Sequence, residues 1–196
     1  MITLLNTFAG VGGNTKLLDR DQFEITHVET LAKRCNYLEE FFPNDTVIKT
    51  DAYQYILDHI LEYDIIWASP PCPTHSSVRW LSKNKAGFKY VYPDLKMYEV
   101  ILLLQKARED KSWVVENVMP YYEPLITPTA KIGRHLIWSN KIIREKEFPP
   151  DNIKHLKVDP NRPLSRKDLR DEMNGDIGKY IINSIIEKNF GLEDYV

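Results

Sequence analysis

Through its first two-thirds the chain alternates short β-branched runs with longer amphipathic ones, and this alternation is the strongest constraint on what it can fold into. Strand candidates are residues 2–7 (ITLLNT), 24–29 (EITHVE), 46–49 (TVIK), 64–69 (DIIWAS) and 112–117 (SWVVEN). Short runs rich in Val, Ile and Thr, bounded by turn residues, suit a pleated strand. Helix candidates lie between them. Residues 31–42 space Leu31, Cys35, Leu38 and Phe42 along one face, and residues 94–109 do the same with Leu95, Tyr98, Ile101 and Leu104 or Gln105. Strand, helix, strand in that order predicts an α/β fold: a mostly parallel sheet, right-handed crossovers and helices on both faces. Ligands of such sheets sit beyond the carboxyl ends of the strands, where the chemistry is therefore expected.

A chain of 196 residues suffices for one domain with a real core and falls short of two. The expected layout is a single domain with its core over residues 1–140, a proline-rich connection over 141–161, and a closing segment and helix over 162–196. Within these, RHLIWS (134–139) offers a further strand and IGKYIINSIIEKNF (177–190) the closing helix. No apolar run approaches the ~18 residues that span a bilayer. The amino terminus has neither the basic start nor the apolar length of a signal peptide, so a cytoplasmic protein away from membranes is expected. Cys35 and Cys72 are the only cysteines, with no zinc or redox spacing, so neither a disulfide framework nor a metal site is suggested. The net charge of −2 argues against indiscriminate coating of nucleic acid, yet residues 131–170 carry eleven Lys/Arg against five Asp/Glu. Such asymmetry suits one side that faces a polyanion.

Several candidate residues fall at strand ends. NTFAGVGG runs a strand into Gly10, Gly12 and Gly13, a turn where backbone can approach a ligand closely; a purely structural turn reads the same way. The second strand ends on Glu29 and the third is followed by Asp51. Acids there suit ribose hydroxyls and an adenine amino group, or else cap a helix. The fourth strand delivers SPPC, a stiff segment because proline fixes its own φ and restricts the residue before it. Cys72 in that loop reads as a reactive thiol, against the alternative of a small buried hydrophobe. Glu116 ends the fifth strand and becomes a proton donor if partial burial raises its pKa; an ion pair is the alternative. The loop after Cys72 carries Arg79, Lys83, Lys85 and Lys89 among Trp80, Phe88 and Tyr90 with no acid, which suits a phosphate-contacting flap or a solvated loop.

FAGVGG, SPPC and ENV, in this order, resemble the cytosine-C5 DNA methyltransferase family over residues 1–120. The resemblance implies a Rossmann-like domain dependent on S-adenosyl-L-methionine (SAM), acting on DNA. It implies that Phe8 packs on the cofactor's adenine, with Ala9, Gly10, Gly12 and Gly13 in the same turn. Glu29, Asp51 and Ala52 then hold ribose and adenine, and Pro71 adjoins the nucleophile Cys72. Cys72 would attack C6 of a flipped cytosine, Glu116 would act at N3, and C5 would take the methyl group. A cation such as Arg134 would favour the thiolate, and Arg79, Lys83, Lys85 and Lys89 would bind DNA.

Downstream the likeness is patchier. KIGRHLIWSN resembles the family's arginine-bearing strand, but His135 follows Arg134 where two arginines one residue apart are usual. RPLSRKDLRDEM resembles the segment before the last motif, with Arg162 and Ser165 in matching positions, and GKYI (178–181) stands where a small polar turn touches the cofactor. Between Asn140 and Arg162 there is no room for a target-recognition domain with its own core. Relaxed specificity, a separate specificity subunit or a homodimer follows as an expectation. Other readings stay open: RNA as the acceptor, an amino-group methyltransferase with SPPC as a variant Ser-Pro-Pro-aromatic motif, or a non-catalytic binding subunit.

Overall fold

The computed structural model of the chain describes residues 1–149, 164–165, 167–168 and 172–186. One sheet runs in the order β3-β2-β1-β4-β5-β7-β6. Its strands are β1 (Ile2–Thr7), β2 (Phe23–Glu29), β3 (Thr46–Lys49), β4 (Ile65–Ala68), β5 (Ser112–Val118), β6 (Ala130–Ile132) and β7 (His135–Ser139). The first five are parallel, and β7 lies antiparallel between β5 and β6. All five expected parallel strands form, each within one residue at either end. β6 was not expected, because three residues are too few to show a period. It closes onto β7 through Gly133–Arg134, and Gly133 supplies the left-handed backbone (φ 58) that a two-residue hairpin needs.

The helices are α1 (Ala32–Phe41), α2 (Ala52–His59), the single turn α3 (Ser77–Trp80), α4 (Lys96–Ala107) and α5 (Gly175–Ile186). Alternate residues of each strand go to opposite faces. Leu4, Ile25, Ile65, Val114 and Ile137 meet Ile177, Ile181, Ile182 and Ile185 of α5. Leu5, Ile66, Val115 and Leu136 meet Ile56 of α2 and Ile101 and Leu104 of α4. This double cover is the Rossmann-like arrangement expected. Cys35 is buried, as its helical spacing required, whereas Leu31 precedes the first turn of α1 and is 55% exposed. The closing helix begins at Gly175, two residues before its expected start.

Strand order reverses between β1 and β4: the chain moves outward through β2 and β3, then returns to the other side of β1. The crevice above this switch is where doubly wound sheets bind ligands. At the opposite end of the sheet Arg108, 1% exposed, donates to the carbonyls of Ile60, Tyr63, Asp64 and Ser112 and ties the end of α4 to β4 and β5. Arg162 and most of the 141–161 connection lie outside the described residues, as does the stretch after Ile186. No helix among the described residues is long and apolar enough to cross a membrane.

Candidate active site

The turn after β1 lies at the switch. Phe8 has a left-handed backbone (φ 54), as does Gly10 (φ 59), where an added Cβ would point into open space. Glu29, 6% exposed, holds this turn to the end of β2. Its Oε2 accepts from Gly10 N at 2.9 Å, and its Oε1 from Thr30 N and Leu31 N at 2.8 and 2.9 Å. Gly12 and Gly13 have a different part: a Cβ would meet the Phe42 ring at the first and the Met173 carbonyl at the second. Both make room for packing, with Gly13 against the closing segment. Ala9 is buried and its N–H donates to Val28 O at 3.1 Å.

Beside this turn, the Phe8 ring meets Tyr53 edge-on at 4.7 Å, and Lys96 Nζ lies 4.9 Å from the centre of the Tyr53 ring. Burial, then the charges of Asp94, Asp51 and Glu99, push the Tyr53 phenol up. Asp51 caps α2, its Oδ1 accepting from Gln54 N at 2.9 Å, so the helix-capping alternative holds for one of its oxygens. Ala52 beneath it is 2% exposed and belongs to the core. Tyr53 carried no sequence signal of its own, because α2 was not anticipated.

The SPPC and ENV segments are bonded to each other. Ser69 Oγ donates to Glu116 Oε2 at 2.9 Å, and Asn117 Nδ2 donates to Pro70 O at 3.0 Å. Further along, Ser77 N donates to Met119 O and Tyr121 N to His75 O, so the loop stays zipped to the chain leaving β5. The Cys72 carbonyl accepts from His75 N and Ser76 N, both at 3.0 Å, which turns the chain directly after the thiol. Cys72 is half-buried and Pro71 exposed. His75 anchors the loop from below, with Nδ1 2.5 Å from Tyr122 Oη, and burial lowers its pKa against the opposing pull of Asp94.

At Glu116 the structure chooses between a raised acid and an ion pair. Burial alone would push its carboxyl up. His135, through its charge and hydrogen bond, together with the Ser69 hydroxyl and the Arg134 charge, holds it below the ordinary range instead. Glu116 Oε1 lies 2.5 Å from His135 Nδ1, and the two side chains are 7% and 4% exposed as residues. An ionised carboxylate therefore stands there, the ion-pair alternative rather than the raised acid, because burial came with partners of opposite charge. Arg134, from the β6–β7 turn, exerts its charge on this carboxylate.

The flap after Cys72 folds on its own aromatics. Trp80 stacks on Tyr121 at 4.6 Å and 9° and meets Phe88 and Tyr90 edge-on. Arg79 donates to Lys89 O and covers the Phe88 ring at 5.3 Å; Lys83 lies 5.9 Å from Trp80. Lys83, Lys85, Lys89 and Tyr90 are exposed. Trp80 is thus explained by packing, and the lysines are displayed around it. In the closing segment, Gly178 lies within α5 against the Asn14 carbonyl, and Tyr180 Oη donates to Arg144 O. Ser165 pairs with Asp168, which in turn binds Arg34 beside Glu29.

No family model matches the sequence, and no curated protein does. Among solved structures, a mutant of DNMT2 from Spodoptera frugiperda is 19% identical with a TM-score of 0.42, over 60% of this chain and 36% of that one. A SAM-dependent methyltransferase from Agrobacterium tumefaciens is 18% identical with a TM-score of 0.43, over 62% of this chain and 40% of that one. A conserved hypothetical protein from Streptococcus pyogenes is 16% identical with a TM-score of 0.46, over 70% of this chain and 84% of that one. This chain thus spans well under half the length of the first two. At these values the likeness decides nothing about its chemistry, which rests on the side chains above.

Proposed function

We propose that the chain is a SAM-dependent methyltransferase that methylates C5 of cytosine in DNA through a covalent Cys72 adduct. The observation that carries this reading is the bonding of SPPC to ENV through Ser69–Glu116 and Asn117–Pro70. It fixes a thiol-bearing loop and a buried acid to each other above the strand-order reversal. The residues of the β1 turn fit SAM. Gly10 opens to space, Glu29 presents a buried carboxylate at the end of β2, and Phe8 and Tyr53 offer ring faces near Asp51. Phe8, Tyr53 and Asp51 would hold the adenosine base, and Glu29 its ribose. Bound SAM supplies an electrophilic methyl group.

The Cys72 thiolate forms a bond to C6 of cytosine, and the displaced electron density is received at N3 with help from Glu116. C5 would then take the methyl group as its bond to the SAM sulfonium breaks with the electron pair left on that sulfur, a base would remove the C5 proton, and the C6–sulfur bond would break to free Cys72. A cytosine reaches such a loop only outside the helical stack, and the exposed Lys83, Lys85 and Lys89 would hold the flanking phosphates. Incubation with labelled SAM and a panel of DNA acceptors tests the reading, with tRNA as competitor. Transfer to cytosine C5 and a covalent complex with 5-fluorocytosine DNA, both absent in Cys72→Ser, are expected. Transfer to RNA alone, or transfer that survives Cys72→Ser, overturns it.

A further inference from the structure

We propose that His135 supplies the proton that Glu116 delivers to the cytosine ring, so that the Glu116–His135 pair is the acid of the site. The inference rests on the cytosine reading above. His135 acts through Glu116 and is a positioning residue in that sense. Three observations converge on it. His135 Nδ1 lies 2.5 Å from Glu116 Oε1, while Ser69 occupies Oε2, so the imidazole is the ionisable donor bonded directly to the carboxylate. The carboxylate is held ionised by these neighbours, and an ionised Glu116 has no proton of its own to give. His135 Nε2 is buried with no hydrogen-bond partner among the described residues. A buried orphan of this kind costs about 1–3 kcal/mol, so Nδ1 of this histidine is set on Glu116 despite an unsatisfied second nitrogen.

The arrangement follows from the strands. Glu116 and His135 sit on adjacent antiparallel strands, with Glu116 opposite Ile137 and His135 opposite Val118. They are thus diagonal neighbours on one face, close enough for their side chains to meet. Across the other ladder His135 pairs with Ile132, and Lys131 of β6 is exposed. Among the described residues, the charges that act on Glu116 are those of His135 and Arg134. Residue type matters here: arginine in the same place cannot release a proton, whereas histidine can near neutral pH.

The step balances as follows. As the Cys72–C6 bond forms, the C5=C6 electron pair is displaced and negative charge builds at N3. The Nδ1 proton of the His135 imidazolium moves to Glu116, and the Glu116 proton moves to N3. The pair changes from carboxylate plus imidazolium to carboxylate plus neutral imidazole. When the C5 proton is lost and Cys72 leaves, the N3 proton returns by the same route.

The test is methyl transfer from labelled SAM to DNA against pH, together with covalent capture on 5-fluorocytosine DNA, for the parent chain, His135→Gln and His135→Arg. The parent should form the adduct, and its rate divided by that of His135→Arg, which shares the Cys72 thiolate, should fall as pH rises, an alkaline limb from the one proton that can be lost. His135→Gln should lose about 10²–10³-fold at every pH. His135→Arg should keep a reduced rate without that alkaline limb. Adduct formation with an unchanged rate and profile in His135→Gln overturns the proposal alone. So does an alkaline limb that persists in His135→Arg. Should either variant fail to fold, His135→Asn stands in for His135→Gln and His135→Lys for His135→Arg, with the same expected and overturning results. No adduct or transfer by the parent on any acceptor overturns the cytosine reading, and the proposal with it.

Discussion

Among the described residues two histidine–carboxylate pairs are buried, each with an arginine close by, and they are built in opposite ways. In the first, His27 Nε2 lies 2.9 Å from Asp45 Oδ2, and Arg20 grips both Asp45 oxygens at 3.1 and 2.7 Å. Arg20 also donates to the Thr15 and Leu18 carbonyls, and Asn6 Nδ2 faces His27 Nδ1 at 3.0 Å. With both nitrogens of its imidazole engaged, that network is closed, and it fastens β2 to the chain before β3. In the second pair, Glu116–His135, one nitrogen is buried without a partner among the described residues, and the carboxylate hangs from the loop that carries Cys72. Closure marks a pair that holds structure. On the proposal that Glu116 and His135 form the acid of the site, the incomplete pair tied to the Cys72 loop is the one that moves protons.

Removing each carboxylate separates the two most sharply. Glu116→Gln should lower methyl transfer by about 10²–10⁴-fold, the usual weight of a positioned acid, while the protein still folds and binds SAM. Single-turnover transfer with isothermal titration of SAM checks both halves. Asp45→Asn should share the loss of stability but spare transfer. Breaking a buried pair costs about 3 kcal/mol, a fall of roughly 6–12 °C in Tm for a chain of this size, with transfer per folded molecule unchanged. Burial opposes ionisation of Asp45, but His27 and Arg20 outweigh it and leave its pKa lowered. Its stabilisation is therefore present above the unfolded carboxyl pKa of about 3.9 and lost as pH falls through the folded value. The gap in Tm between parent and Asp45→Asn should close in acid. A large loss of transfer in Asp45→Asn, at full folding, would break the contrast.

The closed pair was invisible in the sequence, and the open one was half visible, for physical reasons. Strands β1 to β5 were legible because each is short, β-branched and bounded by turn residues, and because both faces of a parallel sheet are buried. The links between strand ends were legible only as residues in separate motifs. Nothing in ENV says that Glu116 bonds Ser69, and nothing in GRHL says that His135 faces Glu116 across a hairpin whose first strand is three residues long. The sign of the Glu116 shift stayed open between a raised acid and an ion pair for the same cause: burial can be guessed from a hydrophobic strand, its partners cannot. Gly12 and Gly13 show the converse. Their spacing read as a ligand turn or a structural one alike, and only the structure shows that the room they leave is filled by Phe42 and Met173.

The smallest expected effect is the finest probe of the open pair. Ser69 Oγ donates to Glu116 Oε2 and accepts from Trp67 Nε1, each at 2.9 Å. Ser69→Ala leaves a buried carboxylate oxygen and an indole N–H without that partner, a loss of about 1–2 kcal/mol. The hydroxyl is one of the groups that keep the Glu116 pKa low, so its removal lets burial pull the carboxyl upward. The sign of the pH dependence follows. A depressed carboxyl stabilises the fold above its unfolded pKa, and that stabilisation disappears as pH falls through the folded value. Ser69→Ala should therefore unfold at a lower temperature than the parent near neutral pH and approach it in acid, apart from the indole's share. Transfer should fall only about three- to tenfold, since His135 still reaches Oε1 and a hydrogen bond of this strength is all that was removed. Thermal melts at several pH values with parallel transfer assays give both numbers. A loss of transfer as deep as that of Glu116→Gln would mean that Ser69, rather than His135, governs the carboxylate.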